Sequence, residues 1–412
     1  MTETIRYRPR GLPRRLATLA SPAGLVAGQL AAERGVALRR ERLLDAARNT
    51  IAQRRRPTRP TMRALIISGG GRLSWRAVAP PPPPGPKGAL VRPIAVATCD
   101  LDRSLALGAT PFPLPLNIGH ECVAEVISVG SDVAGVRPGQ QVCVPFQINC
   151  GDCVPCRSGF TSNCASVPPM SMYGFGLGGG HWGGVLADQV AVPFADAMLV
   201  PLPDGVDPVA AASVADTTSD AYRHIGPHLP ALLTRDPDAE VLIIAALAQR
   251  HLFSASVPLY AGQIARALGA RRVLLVDVRP HVREAATRLG MVAHSPKELR
   301  RIAPAPLVVA ASATQHGTWV ALTKTASDGI CTCVGSLTRV GKMPAMMNYG
   351  RNVTFHLGRS NARAVMPDVL ELIASGRFHP EQMITAQGSF DDAPELLGAH
   401  YRTQDIKTIL TA

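Results

Sequence analysis

The 412-residue sequence has no run of about 18 apolar residues free of charge, proline and glycine, so it predicts no membrane-spanning helix. No apolar segment leads into a small-residue cleavage site, so we expect no secretory signal. Charged residues make up only 18% and hydrophobic residues 46%, a balance that excludes a disordered or fibrous protein. The length then favours two or three folded domains.

Lysine is scarce, at five residues against 38 arginines, and the positive charge lies at one end of the chain. Residues 1–61 carry a net charge of +10 out of +13, which leaves +3 for residues 62–412. Because the body is almost balanced, we do not expect nucleic acid as a partner. We interpret residues 1–61 as an accessory basic extension, or as sequence upstream of a start at Met62. An amphipathic segment for a membrane, nucleic acid or organelle import is the alternative.

Two kinds of pattern divide the remaining chain. From Met62 to about Val200, β-rich runs such as Val123–Val129 alternate with turns. From about Asp236 onward, short apolar strands alternate with helices in units of about 30 residues, which indicates a parallel, doubly wound sheet. The predicted strands here are Glu240–Ala245, Arg272–Asp277, Leu307–Ser312 and Gly329–Gly335, and the predicted helices are Val257–Leu268, His281–Leu289 and Met366–Ser375.

Four cysteines fall within fifteen positions, in the pattern Cys150-x2-Cys153-x2-Cys156-x7-Cys164. Zn²⁺ takes four thiolates tetrahedrally, and four sulfur ligands leave no open position, so this pattern predicts a structural zinc. An iron–sulfur cluster or four free cysteines are the alternatives. Clustered thiols without a secretory signal favour a reducing compartment, and we expect the cytoplasm.

A second constellation is weaker in isolation. Cys99 ends an apolar run, and His120 and Glu121 follow Gly119 at the start of a predicted strand. A cysteine and a histidine 21 positions apart could each be core residues.

The spacing of both constellations resembles that of the zinc-containing medium-chain alcohol dehydrogenases. The resemblance rests on Cys99, the Gly119-His120-Glu121 motif, the segment Val136–Val142 and the cysteine cluster that follows. It covers residues 62–412. It implies an α/β protein with a GroES-like β-rich catalytic domain at residues 62–217 and 354–412. A Rossmann cofactor domain would take residues 218–353.

The resemblance also implies a catalytic zinc held by Cys99, His120 and a third ligand. Asp216 stands where the family usually has cysteine, as in the formaldehyde-dehydrogenase branch, and carboxylate is an acceptable zinc ligand. A helix N-cap is the alternative role for Asp216. Water would take the fourth position and could exchange with Glu121. Asp102 would accept the second hydrogen bond of the ligand histidine and fix its orientation.

The implied reaction is oxidation of an alcohol, or reduction of an aldehyde or ketone, with NAD(H). Zn²⁺ lowers the pKa of a bound oxygen, which makes loss of hydride to nicotinamide possible. An aldehyde dismutase with tightly held NAD, and a catalytically weakened zinc-binding member of the family, remain alternatives. The family also leads us to expect a homo-oligomer, a dimer or tetramer, and no membrane partner.

The phosphate turn departs from the family pattern. Residues 245–260 contain no glycine, although this turn normally needs glycine for close approach to the pyrophosphate. Ser256, Val257 and Pro258 take the place of the family's last turn residues, and the helix N-terminus would still offer N–H groups to phosphate. Arg250 or His251 would add positive charge there.

Other cofactor contacts follow from the resemblance. Asp277 ends the second predicted strand, where an acidic residue binds the adenosine ribose and favours NAD over NADP. Val334 is a further cofactor-binding residue, and Lys407 would reach the pyrophosphate. The family's proton relay usually has serine or threonine two residues after the catalytic cysteine. Leu101 stands there, so Asp100, Ser104, Thr217 or water would have to act instead.

Overall fold

The computed structural model describes residues 60–68, 70–107, 115–175, 182–248, 253–335 and 342–412. The basic extension up to residue 59, Arg250 and His251 lie outside the described residues. Within these ranges, no helix has both the length and the hydropathy that crossing a bilayer requires.

A small antiparallel sheet opens the described chain. Its strand order is β2-β1-β4, and the apolar run predicted after Met62 forms its central strand. The interior of that strand is buried from Ala64 to Ile67, which explains its continuous apolar sequence. The strands are β1 (Met62–Ser68), β2 (Arg72–Val78) and β4 (Leu116–Asn117).

A seven-stranded sheet forms the rest of the β-rich lobe. Its order is β15-β16-β3-β5-β6-β8, with β7 paired to β3. The strands are β3 (Ala89–Ala97), β5 (Glu121–Val129), β6 (Gln141–Val144), β7 (Val190–Val192), β8 (Val200–Pro201), β15 (Ile384–Ser389) and β16 (Lys407–Thr411). Strand β3 lies between β5 and β16, and Ala97 pairs with both Glu121 and Ile409. This register brings three distant chain segments together just beyond the end of β3.

The second lobe contains a six-stranded parallel sheet in the order β11-β10-β9-β12-β13-β14. The strands are β9 (Val241–Ile244), β10 (Val273–Val276), β11 (Val292–His294), β12 (Ala305–Ala310), β13 (Thr325–Cys333) and β14 (Thr354–Leu357). Counted within the lobe, this is the 3-2-1-4-5-6 order of a Rossmann fold, whose ligands bind at the carboxyl ends of the strands. Strands β9 and β10 are buried throughout, in keeping with helices on both faces.

Short helices cap and connect the β-rich lobe, and longer helices cover the parallel sheet. The α-helices are α1 (Asp102–Ala106), α2 (Val154–Arg157), α3 (Ala195–Met198), α4 (Pro208–Ala211), α5 (Thr217–Arg223), α6 (Leu229–Arg235), α7 (Ser256–Ala267), α8 (Pro280–Arg288), α9 (Gln315–Thr323), α10 (Ala345–Gly350), α11 (Ala362–Ala374) and α12 (Ala393–His400). The 3₁₀ helices are Thr161–Asn163, Ala212–Ala215, Pro296–Arg301 and Pro380–Met383.

The predicted fold class is confirmed, with a β-rich lobe joined to a Rossmann sheet. The predicted domain boundary at residue 354 needs a correction. Strand β14, Thr354–Leu357, pairs in parallel with β13, so it is the last strand of the Rossmann sheet. The chain therefore returns to the β-rich lobe only after this strand. A four-residue edge strand with three exposed side chains lacks the apolar alternation that marks a strand in sequence.

Candidate active site

The loop after β3 carries the first candidate metal ligand. Cys99 is buried and lies two residues beyond the end of the strand. Its backbone N–H donates to the Asp102 carboxylate (2.9 Å), and the Leu101 N–H points at its Sγ (3.2 Å). Asp102 is also the first residue of α1, so the carboxylate folds the loop around the thiol. The predicted site residues Cys99 and Asp102 are therefore in contact. The predicted hydrogen bond from His120 to Asp102 stays a prediction.

A glycine with a left-handed backbone positions the histidine. Gly119 has a φ of +94°, and a Cβ added there would lie 2.9 Å from the backbone nitrogen of Leu186. Only glycine adopts this conformation easily in so little space. His120 then enters the interior just before β5, where it is 1% exposed. The rings of Phe175 and Phe146 pack against it, at centroid distances of 4.5 and 5.9 Å.

The third candidate ligand comes from the junction with the Rossmann lobe. Asp216 follows the 3₁₀ helix Ala212–Ala215 and occupies the N-cap position of α5. Its side chain makes no capping hydrogen bond to that helix. One carboxylate oxygen instead lies 3.4 Å from Nε2 of His120.

These side chains converge on one point. Ligand atoms of Cys99, His120, Glu121 and Asp216 all lie within 4.8 Å of one another. Nε2 of His120 is buried and lies 3.4 Å from Asp216 and 4.0 Å from Glu121, but it makes no well-formed hydrogen bond to any described residue. An unsatisfied buried ring nitrogen is costly, and a thiolate, an imidazole and a carboxylate around it form a donor set suited to zinc. The residues therefore fit a metal ion.

Three carboxylates act on the buried histidine and thiol of this site. Burial lowers the pKa of His120, but the carboxylates of Asp216, Asp102 and Glu121 outweigh it and raise the pKa overall. Burial, followed by the same three carboxylates, raises the pKa of the Cys99 thiol well above its usual value. A cation at this point would reverse both effects, because it favours the neutral imidazole and the thiolate.

Glu121 is held by a fully buried lysine. Nζ of Lys407 lies 2.9 Å from Oε2 of Glu121 and 3.0 Å from the Thr217 hydroxyl, and it also donates to the carbonyl of Thr98. Thr217 in turn donates to the other oxygen of Glu121. Burial raises the pKa of Glu121 to about 8 against the lowering effect of Lys407, and the pKa of Lys407 is raised by Glu121 despite burial.

This contact differs from the expectation that Lys407 reaches the pyrophosphate. The lysine begins β16, which pairs with β3, so the register places it beside the end of β3 rather than at the phosphate turn. It also lies 5.9 Å from the ring centroid of Tyr260. Sequence reasoning missed Thr98 and the role of Thr217 here, because no motif connects residues about 100 and 300 positions apart.

The four clustered cysteines form a second convergence. Their sulfur atoms lie within 4.8 Å of one another, and the Sγ atoms of Cys153 and Cys164 are 3.9 Å apart. Backbone N–H groups point at these sulfurs: those of Cys150 and Ser166 at Cys164, and that of Ala165 at Cys153 (3.2–3.4 Å). Burial opposes ionisation of Cys150, but hydrogen bonds lower its pKa to about 7. This cluster too fits a tetrahedral metal.

The N–H groups at the start of α7, where a phosphate is expected, are hydrogen-bonded to a carboxylate of the protein. Ser256 begins α7, and its backbone N–H donates to Asp100 (3.0 Å), as does that of Val257 (3.2 Å). The hydroxyls of Ser254 and Ser256 also donate to Asp100. Pro258 is buried in the first turn and offers no N–H. The donors at the start of α7 are therefore taken by Asp100, and a dinucleotide phosphate could use them only after this carboxylate had moved away.

Asp277 is placed as predicted, directly after β10, but its carboxylate is already engaged. It is 0% exposed and forms an ion pair with Arg279 (2.7 Å). It also accepts hydrogen bonds from the backbone N–H groups of Ala246 and Arg279 (3.2 and 2.7 Å). Val334 lies just beyond β13, where its carbonyl accepts from Arg223 (3.1 Å). Apart from Lys407, the predicted cofactor residues therefore lie at one edge of the parallel sheet, and the polar groups described here are hydrogen-bonded within the protein.

Comparison with known proteins agrees with this architecture. The family model for the alcohol dehydrogenase GroES-like domain matches residues 85–204. The chain is 28% identical over 339 residues to a probable zinc-binding alcohol dehydrogenase of Mycobacterium tuberculosis, covering 81% of this chain and 83% of that one. It is 31% identical over 229 residues to a glutathione-independent formaldehyde dehydrogenase of Pseudomonas aeruginosa, of which it spans 54%.

A solved structure shows the same arrangement across both lobes. The alcohol dehydrogenase from Thermus sp. ATN1 superposes with a TM-score of 0.74 at 28% identity, covering 85% of this chain and 99% of that one. Residues 85–204 therefore match an alcohol dehydrogenase GroES-like domain, and across both lobes the chain is similar to zinc-binding alcohol dehydrogenases. The chain is an alcohol dehydrogenase-like oxidoreductase.

Proposed function

We propose that the chain interconverts an alcohol and the corresponding aldehyde or ketone at a zinc ion held by Cys99, His120 and Asp216. The observation that carries this proposal is the convergence of these three side chains around the buried Nε2 of His120, which makes no well-formed hydrogen bond to any described residue. The two rings packed on His120 restrict its orientation, so that this nitrogen faces the cluster.

When bound there, Zn²⁺ would act as a Lewis acid on the oxygen of the substrate. Glu121 supplies a second carboxylate within the same cluster, and Lys407 and Thr217 hold it by hydrogen bonds. That arrangement keeps one carboxylate beside the metal position without committing it as a ligand. Leu101 contributes its backbone N–H to the sulfur of Cys99 rather than a hydroxyl to a proton relay.

We propose a second, structural zinc at Cys150, Cys153, Cys156 and Cys164. Four sulfur ligands leave no position for a substrate. The support is the convergence of the four sulfurs and the backbone N–H groups directed at them. Clustered thiols of this kind favour a reducing compartment, so we propose the cytoplasm.

We propose NAD(H) as the hydride partner. The support is the 3-2-1-4-5-6 parallel sheet, and an acidic residue, Asp277, after its second strand, which disfavours a 2′-phosphate. Asp100 and Arg279 occupy the corresponding polar positions, so the binding of this cofactor requires both to move.

Metal analysis tests the proposal directly. We expect about two zinc ions per chain in the purified protein, and about one in Asp216→Ala, with loss of alcohol oxidation and carbonyl reduction. Asp207→Ala, which removes an exposed cap on α4, is the matched control and should keep both ions and full turnover.

The outcomes separate the alternatives. Zinc retained in full by Asp216→Ala would remove Asp216 from the metal site. Two zinc ions without any turnover or NADH binding would favour a catalytically weakened zinc-binding protein. Equal yields of alcohol and acid from an aldehyde, without added cofactor, would favour the dismutase.

A further inference from the structure

The carboxylate of Asp100 lies at the N-terminus of α7. Asp100 adjoins Cys99 in the β-rich lobe, yet its carboxylate accepts from two backbone N–H groups at the start of a Rossmann helix, at 3.0 and 3.2 Å. Two serine hydroxyls complete the shell. The carboxylate therefore joins the two lobes through four hydrogen bonds.

The donors used by Asp100 are the ones a bound phosphate would need. The first N–H groups of a helix have no partner within the helix, and with the helix dipole they form an anion site. Helix α7 follows β9, the first strand of the Rossmann sheet, so its N-terminus is the expected pyrophosphate position. One set of donors cannot serve both anions, and like charges at this separation repel.

A second, separate network closes the same edge of the sheet. Arg279 contacts both carboxylate oxygens of Asp277 (2.7–2.9 Å) and donates to the carbonyl of Phe253, in the turn before α7 (3.0 Å). Asp277 is fully buried beneath this contact. A ribose hydroxyl could reach its carboxylate only after Arg279 had turned away. The groups expected to bind the pyrophosphate and the ribose are therefore both hydrogen-bonded within the protein.

Together these contacts identify a role for a residue outside the predicted set of cofactor-binding residues. We infer that Asp100 determines cofactor affinity: its carboxylate occupies the phosphate position on α7 and must leave before a dinucleotide pyrophosphate binds. The inference rests on the nicotinamide cofactor of the proposed function. It makes dinucleotide binding a competition with an intramolecular carboxylate. It also couples binding to the loop that carries Cys99.

The test is NADH binding to the full-length, zinc-loaded protein, measured by calorimetry and by nucleotide fluorescence. Asp100→Asn removes the charge and keeps the size, and Asp100→Ala removes the competing group altogether. We expect Asp100→Ala to bind NADH about tenfold more tightly or better, because a like charge beside the bound anion is lost. We expect Asp100→Asn to show a smaller gain.

Asp196→Ala is the matched control, since the Asp196 carboxylate also accepts hydrogen bonds from two backbone N–H groups, those of Ala134 and Gly135 in the β-rich lobe (3.0 and 2.8 Å). It should leave the NADH affinity unchanged. Without cofactor, both Asp100 variants should melt at a lower temperature than the wild type, since α7 loses its partner.

The results distinguish this inference from the proposed function. NADH binding by the wild type that neither Asp100 variant improves would overturn the role of Asp100 and leave the function standing. A comparable gain in Asp196→Ala would also overturn it. If neither the wild type nor any variant bound millimolar NADH, the nicotinamide assignment and this inference would both be wrong, while the zinc test above would be unaffected.

Discussion

Replacement of Lys407 by methionine tests how the buried charges beside the proposed metal site are balanced. Lys407 and Glu121 are both 0% exposed and lie 2.9 Å apart. Methionine fills most of the lysine volume but leaves Glu121 with only the Thr217 hydroxyl as a hydrogen-bond partner in this group. In the folded variant, Glu121 therefore either carries a buried charge without a counter-ion or must bind a proton.

The expected loss is large. Removal of one partner from a buried ion pair costs about 3–5 kcal/mol of unfolding free energy. At roughly 2–4 °C per kcal/mol for a large domain, Lys407→Met should lower the melting temperature by roughly 6–20 °C. Glu121→Leu in the same chain removes the stranded carboxylate, so the double variant should recover more than half of this loss. Replacing a whole buried pair by apolar groups is often nearly neutral.

Calorimetry and denaturant unfolding of the zinc-loaded proteins provide the measurement. Lys87→Met is the matched control, because Lys87 forms a pair with Asp152 (3.6 Å) in which the side chains are 65% and 80% exposed. Exposed pairs contribute about 0–1 kcal/mol. The reasoning is refuted if Lys407→Met is no less stable than Lys87→Met. It is also refuted if the second substitution at Glu121 adds its full cost instead of relieving the first.

Three further outcomes follow from the structure. Cys153→Ser should lose about one zinc ion per chain and lower the melting temperature, whereas Cys331→Ser, at a buried cysteine remote from the cluster, should retain both ions. Burial raises the pKa of Asp220 from 3.8 to about 6, so the contribution of this group to the unfolding free energy should fall by about 2 kcal/mol as the pH rises from 3.8 to 6. Asp220→Asn should remove that fall in denaturant titrations; an unchanged slope would contradict the assignment. Met346 and Tyr349 are 82% and 85% exposed, so we expect a dimer in light scattering that Met346→Glu dissociates; a wild-type monomer would be contrary evidence.

Much of the Rossmann lobe could be predicted because its elements have local signals. Helix α7 was expected at Val257–Leu268 and lies at Ser256–Ala267, and β10 was expected at Arg272–Asp277 and lies at Val273–Val276. A buried parallel strand reads as a short apolar run, and a helix ends at glycine. Strand β14 has neither signal. It is identified only by its pairing with β13.

The convergence of the candidate metal ligands could be predicted from the sequence, and the polar contacts around them could not. Spacing and ligand chemistry point to Cys99, His120 and Asp216, whose donor atoms do converge. The partners of Lys407 and Asp100 depend on the register of β16 against β3 and on how the two lobes meet. Such contacts between residues 150 to 310 positions apart leave no local pattern in the sequence.

The distances between ligands along the chain have a consequence for the order of folding. The cysteine cluster closes within 14 positions, whereas Cys99 and Asp216 are 117 positions apart. Closing the longer segment costs about 2 kcal/mol more chain entropy, because the cost rises with the logarithm of its length. The cysteine loop would therefore be able to bind its proposed zinc ion before the longer segment has closed. The ligands of the proposed catalytic zinc would converge only after the chain from Cys99 to Asp216 has folded, so loading of that site would follow loading of the cysteine loop.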